Sequence, residues 1–198
     1  MTMRMTHTTR LLLMGALAAL AGCVPAARPP SKDPPPPPPL EMDPASADQA
    51  RQWYAQWVGE PEAAGESDVR YAFMIGESAP SGRTGHSRLT CRLVLLDAEY
   101  RPIRHDGPIR IVLVAGPNGP DERVVGGWNL DASAAGGHYL YGIMPGYHLD
   151  LVWPRAGGAA TYRLMVRWSD LRGRASVTTM FHFEDVFGYD VQTTPTTP

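Results

Sequence analysis

The chain has 198 residues, with 18 basic and 20 acidic side chains and a formal net charge of −2. That balance lacks the basic patch or stripe that nucleic-acid binding calls for, and no polybasic cluster points to an anionic lipid surface. Two cysteines, Cys23 and Cys91, exclude a C-x-x-C zinc site.

The first ten residues carry Arg4 and Arg10 and no acid, and Leu11 to Ala21 are all apolar or glycine. A basic stretch followed by a short apolar run is the layout of a secretory signal peptide. The run falls well short of the about 20 residues a spanning helix needs. Pro25, Pro29 and Pro30 prevent its continuation as a helix.

The run ends in Leu20-Ala21-Gly22-Cys23. This stretch resembles the lipobox of bacterial lipoproteins: a branched apolar residue, two small residues, then the cysteine. The resemblance covers residues 1–23. It implies that residues 1–22 are removed, that the thiol of Cys23 is joined to diacylglycerol, and that the new amino end is acylated. One acyl chain anchors only marginally, at about 0.8 kcal/mol per buried methylene, whereas two or three on Cys23 hold a protein on a bilayer. In that family an aspartate after the cysteine commonly marks the inner membrane, so Val24 favours the outer one. Cys91 is then left without a partner for a disulfide, and its place on the alternation Leu89, Cys91, Leu93, Leu95 makes it a buried small hydrophobe.

Residues 23–45 form a proline-rich linker, with ten prolines among residues 24–45. Proline fixes φ and removes a donor, so neither helix nor sheet is expected there. As polyproline II the stretch is a spacer of roughly 60–70 Å. An amphipathic helix is expected over 46–58, opened by a capping box of Ser46 and Gln49. Ala50, Trp53, Tyr54, Trp57 and Val58 form its apolar stripe, and Gly59 and Pro61 end it. Three turns are marginal alone, so the stripe packs on the domain that follows, on a partner protein or on the bilayer interface.

From Val69 the hydrophobic period falls to 2. Tyr71, Phe73 and Ile75 alternate, then Leu89 to Leu96, then Ile109, Ile111 and Leu113. Trp128 sits in "RVVGGWNL", and Tyr147, Leu149, Leu151 and Trp153 alternate with His148 and Asp150. The last pair is a hairpin: Tyr162, Leu164, Val166 and Trp168 run out and Ala175, Val177, Thr179, Phe181 and Phe183 run back. Such a hairpin buries one face and wets the other. About seven short strands, with no helical period after Val58, predict a mainly β fold, a single antiparallel β-sandwich over 66–190. Residues 191–198, ending in "QTTPTTP", are expected to be a disordered tail. The stretch "LDAEYRPIRHDGPIRIVLV" is similar to a hairpin of transthyretin-like and immunoglobulin-like bacterial surface domains. Asp97, Pro102 and Gly107 hold their places, while Tyr100 stands where those domains carry glycine. That likeness implies a sandwich and nothing about activity.

For chemistry, G-x-S-x-G, H-E-x-x-H, Walker A and a helix-opening G-x-G-x-x-G are all missing. His148 and Asp150 share a strand face at i, i+2, with His138 ten residues back, and His182 lies beside Glu184 and Asp185. A metal site needs three or four converging ligands, so no metal and no cofactor is expected. Tyr139 and Tyr141, in the glycine-rich loop from Asp131 to Gly146, are the candidate exposed binding patch. These readings together describe a cell-envelope lipoprotein, membrane-anchored through Cys23. Its sandwich is a non-enzymatic binding or structural module whose partner is an envelope protein or a glycan. The alternatives are an envelope hydrolase or metal-dependent enzyme using His148 and Asp150, and a glycan-binding module using Tyr139 and Tyr141.

Overall fold

The structure is a computed structural model that describes residues 35–59, 67–116, 122–155 and 161–185. Leu20 to Cys23 and most of the proline-rich stretch lie outside the described residues, as does the carboxyl-terminal tail. The chain divides by packing into Met1–Pro35 and Pro36–Pro198, and every element described here belongs to the second unit.

The architecture is a two-sheet β-sandwich. In chain order the elements are β1 (Leu40–Glu41), α1 (Ser46–Gly59), β2 (Tyr71–Ala79), β3 (His86–Leu96), β4 (Pro102–Ile103), β5 (Ile109–Ala115) and β6 (Arg123–Leu130). They continue with α2 (Ala132–Gly137), β7 (Tyr139–Leu140), β8 (Gly146–Pro154), β9 (Thr161–Ser169) and β10 (Ser176–Glu184). One sheet has the order β1-β8-β3-β2, with β4 paired to β3 and β7 to β8; the other has the order β10-β9-β5-β6. The seven long strands are the seven that the period-2 pattern predicts. Their inward residues, among them Leu89, Leu95, Ile111, Leu151, Trp153, Leu164 and Trp168, are fully buried in a common core.

Four short elements escape the periodicity: β1, β4, β7 and α2. Leu40 and Glu41 pair in parallel with Leu151 and Val152, and Met42 is buried, so the end of the proline-rich stretch belongs to a sheet instead of a spacer. Trp128 Nε1 donates to Leu40 O at 3.0 Å and ties this flank of the sandwich across its two sheets. On the opposite flank Ser78 Oγ donates to Glu184 O at 2.6 Å. The loop from Asp131 to Gly146 is ordered by the short helix α2, whose first turn is capped by Asp131 accepting from Ala134 N–H at 2.8 Å.

The helix α1 roofs the outer face of the second sheet. Ala50, Trp53 and Trp57 pack on Val112, Val114 and Met165, forming a second buried cluster. Three arginines of that face reach up to its rings: Arg110 over Trp53 at 5.6 Å, Arg163 over Tyr54 at 5.8 Å and Arg167 over Trp57 at 5.0 Å. Glu122 accepts from both Arg163 and Tyr54, each at 2.9 Å. The hairpin β9–β10 therefore does not wet its outer face along β9: Met165 and Arg167 are buried under the helix. The Ser46 hydroxyl is drawn into the same contact, accepting from Gly127 N–H at 3.1 Å, and so serves the sheet contact instead of the capping box that the S-x-x-Q spacing predicts. Gly127 is needed for this approach, because a Cβ there would lie 2.4 Å from Ile111 O and 3.2 Å from Ala50 Cβ.

Candidate functional site

Among the described residues no helix covers the outer face of the first sheet. Strand register lays it out as a grid. Tyr71 stands opposite Leu96 and Phe73 opposite Val94, Ile75 is in line with Arg92 and His148, and Glu77 is in line with Thr90 and Asp150. The residues Tyr71, Phe73 and Ile75, which the alternation marks as one strand face, point out of the sandwich, at 43%, 36% and 41% exposure. The core side of β2 is Ala72, Met74 and Gly76. A Cβ on Gly76 would come 2.5 Å from Cys91 Cβ, so the position facing Cys91 takes glycine. An exposed apolar row on a strand is what docking faces look like.

Next to this row the turn between β3 and β4 presents another aromatic ring. Asp97 Oδ1 accepts from the N–H groups of Glu99 and Arg101 at 3.0 and 2.9 Å, and Oδ2 accepts from Arg101 Nε at 2.8 Å. These donors hold the Asp97 carboxyl below its ordinary range, the Arg101 N–H most of all. Tyr100 takes φ 61°, a left-handed conformation that glycine adopts freely and tyrosine does not. Its ring lies flat on Tyr71, with centroids 4.7 Å apart and planes 9° from parallel. The neighbouring Tyr71 hydroxyl pushes the Tyr100 phenol above its ordinary value.

The polar end of the same face holds the residues singled out for chemistry. Asp150 is buried, and Arg88 engages both carboxylate oxygens, Nε to Oδ1 at 2.7 Å and Nη2 to Oδ2 at 2.6 Å. Thr90 Oγ1 lies 3.5 Å from Oδ1. The carboxylate is thus committed to a bidentate ion pair across adjacent strands. His148 is half-buried, and burial lowers its pKa below the ordinary histidine value; Arg92, His138 and Arg88 act in the same direction and Asp150 against it. His138 is buried, with Nδ1 3.0 Å from His148 O. Among the described residues no group of three or more His, Cys, Asp or Glu is placed to hold a metal ion. His182 is exposed, while Asp185 is buried and accepts from Ser87 Oγ. Cys91 is a free, buried thiol whose pKa burial pushes far upward.

The tyrosine pair of the β7 region divides. Tyr139 is buried, edge-on to Tyr147 at 5.1 Å, because β7 pairs its residue with Tyr147 on β8. Tyr141 is exposed and accepts from Arg104 Nη1 at 2.8 Å. The two rings meet edge to face, so they do not form an open flat patch. Beyond them the β7–β8 loop exposes Ile143 and Met144 and is tied to the grid by Arg92, which donates to Met144 O. On the outer face of the first sheet the exposed aromatic residues are Tyr71 and Phe73, with Tyr100 beside them, and alternation alone does not say which side of β2 faces out. The signal that separates the two sides is Glu77, a charged residue continuing the parity of Tyr71, Phe73 and Ile75.

No protein-family model matches the chain, and no curated protein sequence matches it. Among solved structures, the crystal structure of MtrC from Shewanella baltica OS185 is similar, with a TM-score of 0.39 and 10% sequence identity. The match covers 62% of this chain and 23% of that one. No helix among the described residues is long and apolar enough to cross a membrane.

Proposed function

We propose that this chain is a cell-envelope lipoprotein, anchored by acyl chains on Cys23, whose sandwich is a non-enzymatic binding or structural module. The observation that carries the reading is the sequence Leu20-Ala21-Gly22-Cys23, which closes a short apolar run just ahead of a proline-rich stretch. The proline-rich residues between Cys23 and Leu40 separate the anchor from the sandwich, and the domain faces the periplasm or the outside. The strand division supports the likeness to immunoglobulin-like surface domains. Of the seven long strands, the first, second and fifth share one sheet and the third, fourth, sixth and seventh the other. An immunoglobulin sandwich sets A, B and E against C, F and G in the same way, with further strands added beside C in its variable type.

The uneven treatment of the two outer faces supports a contact role. One face is covered by α1, and the other leaves Tyr71, Phe73 and Ile75 open. The hydrolase alternative loses ground, because Arg88 occupies the carboxylate that His148 would need as its partner. Expression of the chain and of Cys23→Ser in a bacterial host, with radioactive acyl labelling and membrane fractionation, tests the anchor. The unsubstituted chain takes up label and sediments with membranes, and Cys23→Ser does neither. Equal labelling and equal sedimentation of the two overturn the reading.

A further inference from the structure

We propose that Tyr100 and Tyr71, together with the polar cleft beside them, form a binding site for a neutral oligosaccharide, an inference that rests on reading the sandwich as a binding module. Three observations meet at this point. The first is the backbone of Tyr100. Its φ of 61° is a conformation in which a side chain is strained and glycine is not. The turn does not need the ring, because the Asp97 carboxylate holds it by accepting from the N–H groups of Glu99 and Arg101 and from Arg101 Nε. A tyrosine is nonetheless held there at 66% exposure. The strain serves to present the ring.

The second observation is the shape of what is presented. Tyr71 covers one face of Tyr100, with planes 9° from parallel, so the opposite face is the open one. The stack fixes the open face of the Tyr100 ring, and Phe73 and Ile75 lie exposed on β2 on the same strand face as Tyr71. Fixing both rings in advance spares the ordering cost that a mobile aromatic residue would incur on binding.

The third is the cleft. It measures about 430 Å³, within the range of small-ligand sites. The immediate chain neighbours of the two tyrosines, Arg70, Glu99 and Arg101, line it, along with Asp68, Asp97 and Arg104. Three guanidinium groups and three carboxylates balance in charge. Asp97 and Glu99 are already ion-paired with Arg101, each at 2.8 Å, so a charged ligand of either sign would have to break these pairs. A ligand that both donates and accepts at many points, without charge, satisfies both sets. A pyranose has that chemistry: one apolar C–H face for the tyrosine ring and a rim of hydroxyls for the carboxylates and guanidiniums.

The test titrates the purified full-length chain, in detergent, with chitohexaose, cellohexaose, laminarihexaose and hexagalacturonate by isothermal calorimetry. At least one of the three neutral hexasaccharides binds saturably, and hexagalacturonate binds more weakly than that sugar. Tyr100→Gly and Tyr71→Ala each weaken the binding by about tenfold or more. Tyr100→Gly also keeps or raises the thermal midpoint, since glycine relieves the left-handed backbone, so its lost binding is not lost folding. Binding to none of the neutral sugars, tighter binding of hexagalacturonate, or unchanged affinity in Tyr100→Gly overturns the inference. A chain that is lipidated on Cys23 yet binds none of these sugars removes the saccharide site and leaves the anchor reading intact.

Discussion

Replacing Trp57 by alanine asks whether α1 is a structural roof. Trp57 is 6% exposed against Val112, Val114 and Met165. An aromatic side chain buries about 150–250 Å², and at about 25 cal/mol per Å² this is worth about 4–6 kcal/mol. The Arg167 guanidinium 5.0 Å above the ring adds about 0.5–1 kcal/mol. Against this, Trp57 Nε1 is buried without a hydrogen-bond partner among the described residues. Removing that desolvated donor returns about 1–3 kcal/mol. The expected net loss is about 3 kcal/mol, in line with measured Trp→Ala costs. Ile75→Thr on the unroofed face keeps the β-branch and is expected to cost under about 1 kcal/mol. Urea unfolding followed by far-UV circular dichroism compares the two. Trp57→Ala is also expected to bind a hydrophobic dye, because Val112, Val114 and Met165 become a second open face. A loss for Trp57→Ala no greater than that for Ile75→Thr would refute the roof.

Other substitutions probe the contacts that set the two faces apart. Gly127→Ala puts a methyl 2.4 Å from Ile111 O and 3.2 Å from Ala50 Cβ, and the resulting overpacking should cost about 1–3 kcal/mol in the same unfolding assay. Arg88→Met strands the buried Asp150 carboxylate and is expected to cost about 3 kcal/mol, most of it recovered in the double variant Arg88→Met/Asp150→Leu; a double variant no better than the single would contradict the ion pair's role. His148 has its pKa lowered by burial, so the unfolded chain takes up the proton first. Its contribution to stability is therefore complete above the ordinary histidine range and falls as the pH drops through that range, over about pH 7 to 5. His148→Gln should flatten that part of the stability curve, and an unchanged slope would count against the assignment.

The fold was legible wherever one side of a strand is buried and the other is not. Tyr147, Leu149, Leu151 and Trp153 against His148 and Asp150 is such a case, and the structure buries that set. Legibility failed for the two-residue strands β1, β4 and β7 and for the six-residue helix α2, which are shorter than any period. The inward side of β2 is harder to read, because Tyr71, Phe73 and Ile75 on one parity and Ala72 and Met74 on the other are all apolar; Glu77 on the first parity and the close approach of Gly76 to Cys91 mark which set turns in. The near-continuous apolar run "IVLVA" of β5 does announce a strand buried on both faces, and α1 supplies the second cover. At the candidate site, the glycine position held by Tyr100 was visible in the sequence, and its left-handed φ is the physical counterpart. The burial of Tyr139 was not visible, since it follows from the pairing of β7 with β8.

The anchor is the claim on which location and role both depend. Mass spectrometry of the amino-terminal peptide, taken from the protein isolated from bacterial membranes, tests it most directly. The account predicts a peptide that begins at residue 23 and carries a thioether-linked diacylglyceryl group. A peptide that retains residues 1–22, or a Cys23 with a free thiol, would contradict it.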